Sequence, residues 1–217
     1  MNSREELDKY IFQFWQTLDE GRDVLEMGSG GRPNTLALFS GNHNFVATDI
    51  FAGQTWAIPE AEFLDVENMH TSKLIITHPL YDVIICNQVL EHTKHPAWAL
   101  YNIYEHLKDG GTLFISTPFH YRVHEANRDG GETSERGVLD YWRFTPHGYE
   151  ILFREAGFEQ WYITQIGEEL LNPYIIVGLG YKNIDTEQKE KTQCPFMEAN
   201  SNWKQIWETK LQEYRKN

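Results

Sequence analysis

The stretch Val24-Leu25-Glu26-Met27-Gly28-Ser29-Gly30-Gly31 joins an apolar run to a glycine-rich one. A strand that delivers such a loop lets backbone amides, unshielded by side chains, come close to a ligand. Glu26 stands at the strand end, where a carboxylate accepts from an ammonium group or a loop amide. Asp49 closes the next apolar run, Phe45-Val46-Ala47-Thr48-Asp49-Ile50, 21 residues beyond Gly28 (49 − 28). An acid at about that distance ends the second strand of a nucleotide-binding unit and reaches ribose hydroxyls. Asp65, after a third short run, is able to accept from an adenine amino group while apolar neighbours sandwich the ring. Each feature also has a plainer reading: a turn that binds nothing, a solvent-facing strand-end acid, a loop acid without a role. Their order and spacing weigh toward a nucleoside site. A third glycine at position 33 would complete the dinucleotide pattern G-x-G-x-x-G, but Pro33 stands there, which disfavours NAD.

Proton-accepting groups come later in the chain. His120 and His124 follow the apolar run 112–117, and His92 lies just beyond the end of the run 81–86. Imidazoles titrate near neutrality, so these three are the candidates for a general base. Asp140 ends a stretch, 118–140, with Pro, Gly, His and charge but no sustained periodicity, and Tyr141 follows it. A loop of that length after a central strand is expected to carry function, and Asp140 to return to the same pocket. Other readings stay open. His92 is equally able to pack against the helix that follows it. His120 and His124, with Glu125, show the i, i+4 spacing of metal ligands, but the stretch lacks a helical pattern and a third ligand, so no metal is expected. Trp142 and Arg143 either close the domain or face a ligand.

The elements that must position these groups are legible as alternating patterns. Residues 3–20 read as an amphipathic helix carrying Leu7, Ile11, Phe14, Trp15 and Leu18 on one face, with Ser3 and Glu6 as a capping box and Gly21 as its stop. Strands are expected at 23–27, 44–48, 62–64, 81–86, 112–117, 158–165 and 174–181. A helix over 97–108 is stopped by Gly110-Gly111, and a second begins at Pro146, capped by Thr145 and closed by Gly157. The tail 182–198 is polar, and 202–214 gathers Trp203, Ile206, Trp207, Leu211 and Tyr214 on one helical face, more in keeping with packing than with substrate binding. The 217 residues suit one α/β domain.

Composition excludes several classes. Nineteen basic residues against 32 acidic ones give a formal charge of −13, without the clustered Lys and Arg that a nucleic-acid backbone requires, so no nucleic-acid partner is expected. No apolar run approaches the roughly 20 residues of a membrane span, and the N-terminus lacks the pattern of a signal peptide. Cys86 and Cys194 have no zinc-type spacing, and Cys86, ending an apolar run, reads as a buried small hydrophobe. A cytoplasmic protein, monomeric or homodimeric, is expected.

The run Tyr81-Asp82-Val83-Ile84-Ile85-Cys86-Asn87-Gln88-Val89-Leu90-Glu91-His92, with Leu107-Lys108-Asp109-Gly110-Gly111-Thr112-Leu113-Phe114-Ile115-Ser116-Thr117-Pro118 after the helix, resembles the core of class I S-adenosylmethionine (SAM)-dependent methyltransferases of the type 11-like kind. The resemblance implies a Rossmann-like, seven-stranded, mainly parallel sheet with one antiparallel strand (174–181) and helices on both faces, in a single domain. It divides the chain into an N-terminal helix, 1–21, a methyltransferase domain, 22–182, and a polar linker with a C-terminal helix, 183–217. It implies SAM as cofactor and S-adenosylhomocysteine (SAH) as product. Glu26, Gly28, Ser29 and Gly30 would hold the methionine portion, Asp49 the ribose and Ile50 the adenine face. Asp65 and Val66 would take the adenine edge, and Asn87 would line the floor near the sulfonium. Arg32-Pro33 departs from the small residues commoner after the glycines. Asp140-Tyr141-Trp142-Arg143-Phe144-Thr145-Pro146 resembles a narrower bacterial subgroup associated with glycan and surface-polysaccharide pathways, which points to a small acceptor, a saccharide or sugar nucleotide, methylated on O or N. The alternative is a non-catalytic relative that binds SAM or a nucleoside as a partner subunit.

Overall fold

Seven short runs rich in Val, Ile and aromatic residues become seven strands of one sheet. The computed structural model describes residues 3–31, 33–53, 57, 59–78, 80–121, 123, 139–167, 173–184, 209 and 212. The strands are β1 (Asp23–Met27), β2 (Asn44–Asp49), β3 (Glu62–Phe63), β4 (Tyr81–Asn87), β5 (Leu107–Pro118), β6 (Gln160–Ile166) and β7 (Ile175–Tyr181). Their order across the sheet is β3-β2-β1-β4-β5-β7-β6. β7 runs antiparallel to both neighbours and every other pairing is parallel, so the sheet has the one reversed strand expected at 174–181. The crossovers from β1 lead outward to β2 on one side and, later, to β4 on the other. The segments that follow β1 and β4 therefore leave in opposite directions, and ligands of open α/β sheets bind at such a point.

Helices α1 (Ser3–Gln16), α2 (Pro33–Phe39), α3 (Lys73–Thr77), α4 (Pro96–Glu105) and α5 (Pro146–Ala156) complete the element order. Two apolar cores lie on opposite faces of the sheet. One joins Leu7, Ile11, Phe12 and Phe14 of α1 to Val24, Val83, Ile85, Phe114 and Val177. The other joins Leu100 and Ile103 of α4 and Tyr149, Leu152 and Phe153 of α5 to Leu25, Ile84, Cys86, Leu113 and Ile115. Alternate residues of β4 thus enter opposite cores, which is why its sequence reads as a continuous apolar run.

Several expected boundaries move for identifiable reasons. α1 stops at Gln16, short of Gly21, because Thr17 turns its amide and hydroxyl back onto the Phe14 carbonyl. α4 ends at Glu105, where the His106 amide caps it, and the Tyr81 amide then takes the His106 carbonyl into the sheet. Gly110 and Gly111 consequently do not stop that helix. They lie inside β5, at an irregularity where pairing jumps from Tyr81↔Leu107 to Val83↔Thr112. Gly110 has φ 77°, and a Cβ on Gly111 would lie 2.7 Å from the Lys108 carbonyl. Of the expected helix 202–214, Thr209 and Gln212 are described, both helical; its apolar residues lie outside the described set, as do Cys194 and most of the tail 182–198. Among the described residues no helix is long and apolar enough to cross a membrane.

At the amino-terminal end of the sheet, Lys108 Nζ donates to Asp23 Oδ2 (2.7 Å) and Asp82 Oδ2 (2.9 Å), which ties the starts of β1 and β4 together. Hydrogen bonding to Lys108, and then to Asn44, holds the Asp23 carboxyl below its usual value.

Glycines in β7 let α5 and the segment after it settle on the sheet. A Cβ at Gly180 would stand 2.6 Å from Phe153 Cε1 and 2.8 Å from Phe158 Cδ1. Gly180→Ala is expected to cost about 1–3 kcal/mol in urea unfolding, the usual penalty of overpacking. An unchanged midpoint would mean the two phenylalanines give way freely.

Candidate active site

The glycine loop leaves β1 where the segments after β1 and β4 part. Gly28 and Gly30 have φ of 66° and 51°, the left-handed region that side-chain-bearing residues seldom enter. Gly28 also faces Val89, just past β4, so closely that a Cβ would lie 2.3 Å from Val89 Cγ2; above Gly30 the same position meets nothing within 4 Å. The loop is stitched to β2: the Ser29 amide donates to the Thr48 carbonyl (2.9 Å), and Thr48 Oγ1 donates to the Glu26 carbonyl (2.7 Å).

Asp49 is the main fastener. Its Oδ2 accepts from the Gly30 amide (2.9 Å) and its Oδ1 from the Phe51 amide (2.8 Å). Each carboxylate oxygen accepts about two bonds, so one lone pair on each is left for a further donor. Ile50, beside it, is 49% exposed, an apolar surface at the rim. Asp65 is engaged locally, capping the 3₁₀ turn Val66–Thr71 by accepting from the Glu67 amide and from Asn68 Nδ2. The Val66 side chain packs in the core.

Two polar atoms beside this loop are buried without a hydrogen-bond partner among the described residues, Ser29 Oγ and Asn87 Nδ2. A buried donor or acceptor left in that condition costs roughly 1–3 kcal/mol, which a ligand offering complementary atoms recovers. Gln88, next after β4, takes φ 55°, a backbone setting with an energetic cost for a non-glycine residue that recurs at functional sites. Nothing in its residue type signals this.

The structure brings two of the residues expected at the pocket, His92 and Asp140, together. His92 Nδ1 lies 2.9 Å from Asp140 Oδ1 and 3.1 Å from the Leu139 carbonyl, and its Nε2 lies 3.6 Å from Glu91 Oε1. Nδ1 faces two acceptors, so it carries the hydrogen. Asp140 Oδ2 is also held by Arg143 at 2.6 Å, while the Tyr141 and Trp142 amides both donate to the Glu91 carbonyl and Trp142 Nε1 donates to the Thr93 carbonyl. The segment Leu139–Arg143 is thus a strap pinned across the turn after β4, and this pinning accounts for the Asp, Trp and Arg of the Asp140–Pro146 stretch. His120 lies two residues beyond β5, exposed, its amide on the Pro173 carbonyl (3.1 Å). His124 lies outside the described residues.

Below the site, Tyr149 Oη donates to Thr117 Oγ1 (2.8 Å), joining α5 to the end of β5 inside the core. Cys86 is buried there as expected; burial, and then the Glu91 charge, push its thiol well up, which removes it as a nucleophile.

A family model described as a methyltransferase domain matches residues 2–163. Ubiquinone biosynthesis O-methyltransferases are similar over part of their length. That of Hydrogenovibrio crunogenus is 30% identical over 116 residues, covering 50% of this chain and 47% of the relative. That of Rickettsia canadensis is 28% identical over 102 residues, covering 44% and 42%. The matched segments span about half the length of these curated relatives. In fold, the chain is similar to the 1,6-didemethyltoxoflavin-N1-methyltransferase of Burkholderia thailandensis, a structure that contains S-adenosylhomocysteine (TM-score 0.58, 17% identity, 82% of this chain and 77% of the other). It is also similar to a SAM-dependent methyltransferase of Mesorhizobium loti (TM-score 0.55, 12% identity, 76% and 94%).

The close approach of Gly28 to Val89 yields a paired test. Gly28→Ala is expected to lower stability in urea by about 2 kcal/mol, from the clash and the left-handed backbone together. Adding Val89→Ala should restore part of the loss, because it lifts the contact and leaves the backbone cost. Full recovery would show that φ at position 28 is unimportant.

Proposed function

This chain belongs to the methyltransferase-domain family, and from that membership we propose that it is a class I SAM-dependent methyltransferase acting on a hydroxyl of a small acceptor. One observation carries the placing of the cofactor: the left-handed glycine loop follows the paired end of β1 beside two buried polar atoms that have no partner among the described residues. Glu26, Gly28, Ser29 and Gly30 hold the methionine portion in this reading, with open space over Gly30 for a ligand chain. The remaining lone pairs of Asp49 accept from the ribose hydroxyls, Ile50 covers one face of the adenine, and the residues Asp65 and Val66 border its edge. Asn87 faces the same crevice.

SAM, when bound, supplies a methyl carbon activated by its sulfonium, which an acceptor lone pair displaces in line. The chain's own contribution is to orient the acceptor, exclude water and take the acceptor's proton. His120 is the base we favour, because it is exposed at the end of central strand β5. His92 and Asp140 act as a positioning pair: both ring nitrogens of His92 are turned toward carboxylates of the protein, so its part is to hold the strap. Oxygen is favoured as the methylated atom by the partial likeness to O-methyltransferases. A saccharide or sugar nucleotide is the acceptor class we favour, because Tyr141 and Trp142 present exposed aromatic faces on the pinned strap, surfaces that stack on the apolar face of a sugar ring.

Asp49→Ala is expected to weaken SAM binding by about 1–3 kcal/mol in calorimetry, through unpaired ribose hydroxyls. Unchanged affinity would place the ribose elsewhere. With methyl-labelled SAM and a panel of sugar nucleotides and other hydroxyl acceptors, label should enter a hydroxyl, and His120→Ala should slow transfer by about 10²-fold or more while SAM still binds. Tight SAM binding with no labelled product from any acceptor would favour the non-catalytic partner role, and a fully active His120→Ala would remove that residue from the mechanism.

A further inference from the structure

Resting on the SAM-binding reading above, we infer that Gln88 and Ser116 are positioning residues that set the polarity of the Asn87 side chain, so that Asn87 Nδ2 donates to an oxygen of the bound cofactor. Asn87 and Ser116 are directly paired neighbours on β4 and β5. Gln88 Nε2 donates to Ser116 Oγ (3.1 Å), and Ser116 Oγ donates to Asn87 Oδ1 (3.2 Å). A hydroxyl has one proton to give. Because Ser116 receives from Gln88, that proton is committed to Asn87, and the Asn87 amide must then present its oxygen to Ser116 and its NH2 group to the opposite side.

The backbone of Gln88 is bent to make this possible. Its φ of 55° and its amide bond to the Ser116 carbonyl (2.8 Å) fold residue 88 back over β5, which places its side chain within reach of Ser116. Asn87 is 3% exposed and Ser116 fully buried, so water does not substitute for the missing contacts. At the far end of the relay, Nδ2 has no acceptor among the described residues. β1 pairs with β4 up to Met27↔Cys86, so the next residues along the two strands are Gly28 and Asn87. The donor therefore emerges next to the glycine loop, where the cofactor rather than the methyl acceptor is expected to offer an oxygen.

The test is SAH affinity by calorimetry, with thermal melting of each ligand-free variant as a check on folding. Ser116→Ala, which deletes the middle of the relay, should weaken SAH by about 5- to 20-fold; that range corresponds to roughly 1–2 kcal/mol at 1.4 kcal/mol per tenfold. Gln88→Glu reads the polarity. A carboxylate at 88 accepts from Ser116 instead of donating to it, which strands Asn87 Oδ1 and should weaken SAH by a similar factor. In the wild type, the Asn87 side-chain NH2 signals should shift on adding SAH in a ¹⁵N spectrum. Wild-type affinity in a folded Ser116→Ala or Gln88→Glu variant, or unmoved Asn87 signals in the SAH-bound wild type, would overturn the inference. A wild-type protein that binds no SAH at all would instead overturn the cofactor reading on which it rests.

Discussion

Everything at the functional end of this molecule depends on the parting of the segments that follow β1 and β4. Two adjacent parallel strands whose following segments leave in opposite directions create a crevice that neither segment fills. The glycine loop on one side and the turn after β4 on the other are its two walls, and Gly28 against Val89 is where they touch. Asp49 ties the loop to β2 by accepting from the Gly30 amide. The carboxylate is thus first a structural part of the loop, and any ligand it holds is bound by what is left of its acceptor capacity.

The strap across the turn after β4 solves a second problem. The chain is fixed at Leu139–Arg143 by contacts among His92, Asp140 and Arg143 together with two amides on one carbonyl. Inside the protein such pairs are effective because the partners are already held in place and water is scarce. The Asp140–Pro146 stretch therefore has a mechanical explanation that does not depend on which substrate it borders, and the exposed faces of Tyr141 and Trp142 are what it leaves for recognition.

Sequence pattern went far in this chain and failed in characteristic places. β4 and the capped start of α5 at Thr145 were readable because local chemistry and tertiary role agree there. The end of α4 was not, since Gly110-Gly111 looks like a stop signal but serves a bulge in β5, and only the pairing of Tyr81 with Leu107 shows it. Short α2 and α3 have too few turns for a periodicity. The places of Glu26, Asp49 and Asn87 at or near strand ends are legible by order along the chain. Gln88 was not, because an unusual φ leaves no trace in composition, and neither was the complete burial of Glu91 beside a histidine. Nor is the local work of Asp65 legible, its carboxylate capping a turn by accepting from the Glu67 amide.

The charges at the opposite end of the sheet have a consequence for how the protein handles its surroundings. Lys108 gathers Asp23 and Asp82 at the start of β1 and β4, whereas the crevice opens at their far ends. Strands of five and seven residues separate the two by about 17–23 Å, at roughly 3.3 Å per residue. The screening length in physiological salt is only about 8 Å. Through solvent, a charge change at one end is therefore largely screened from the other, whereas added salt acts on both ends alike.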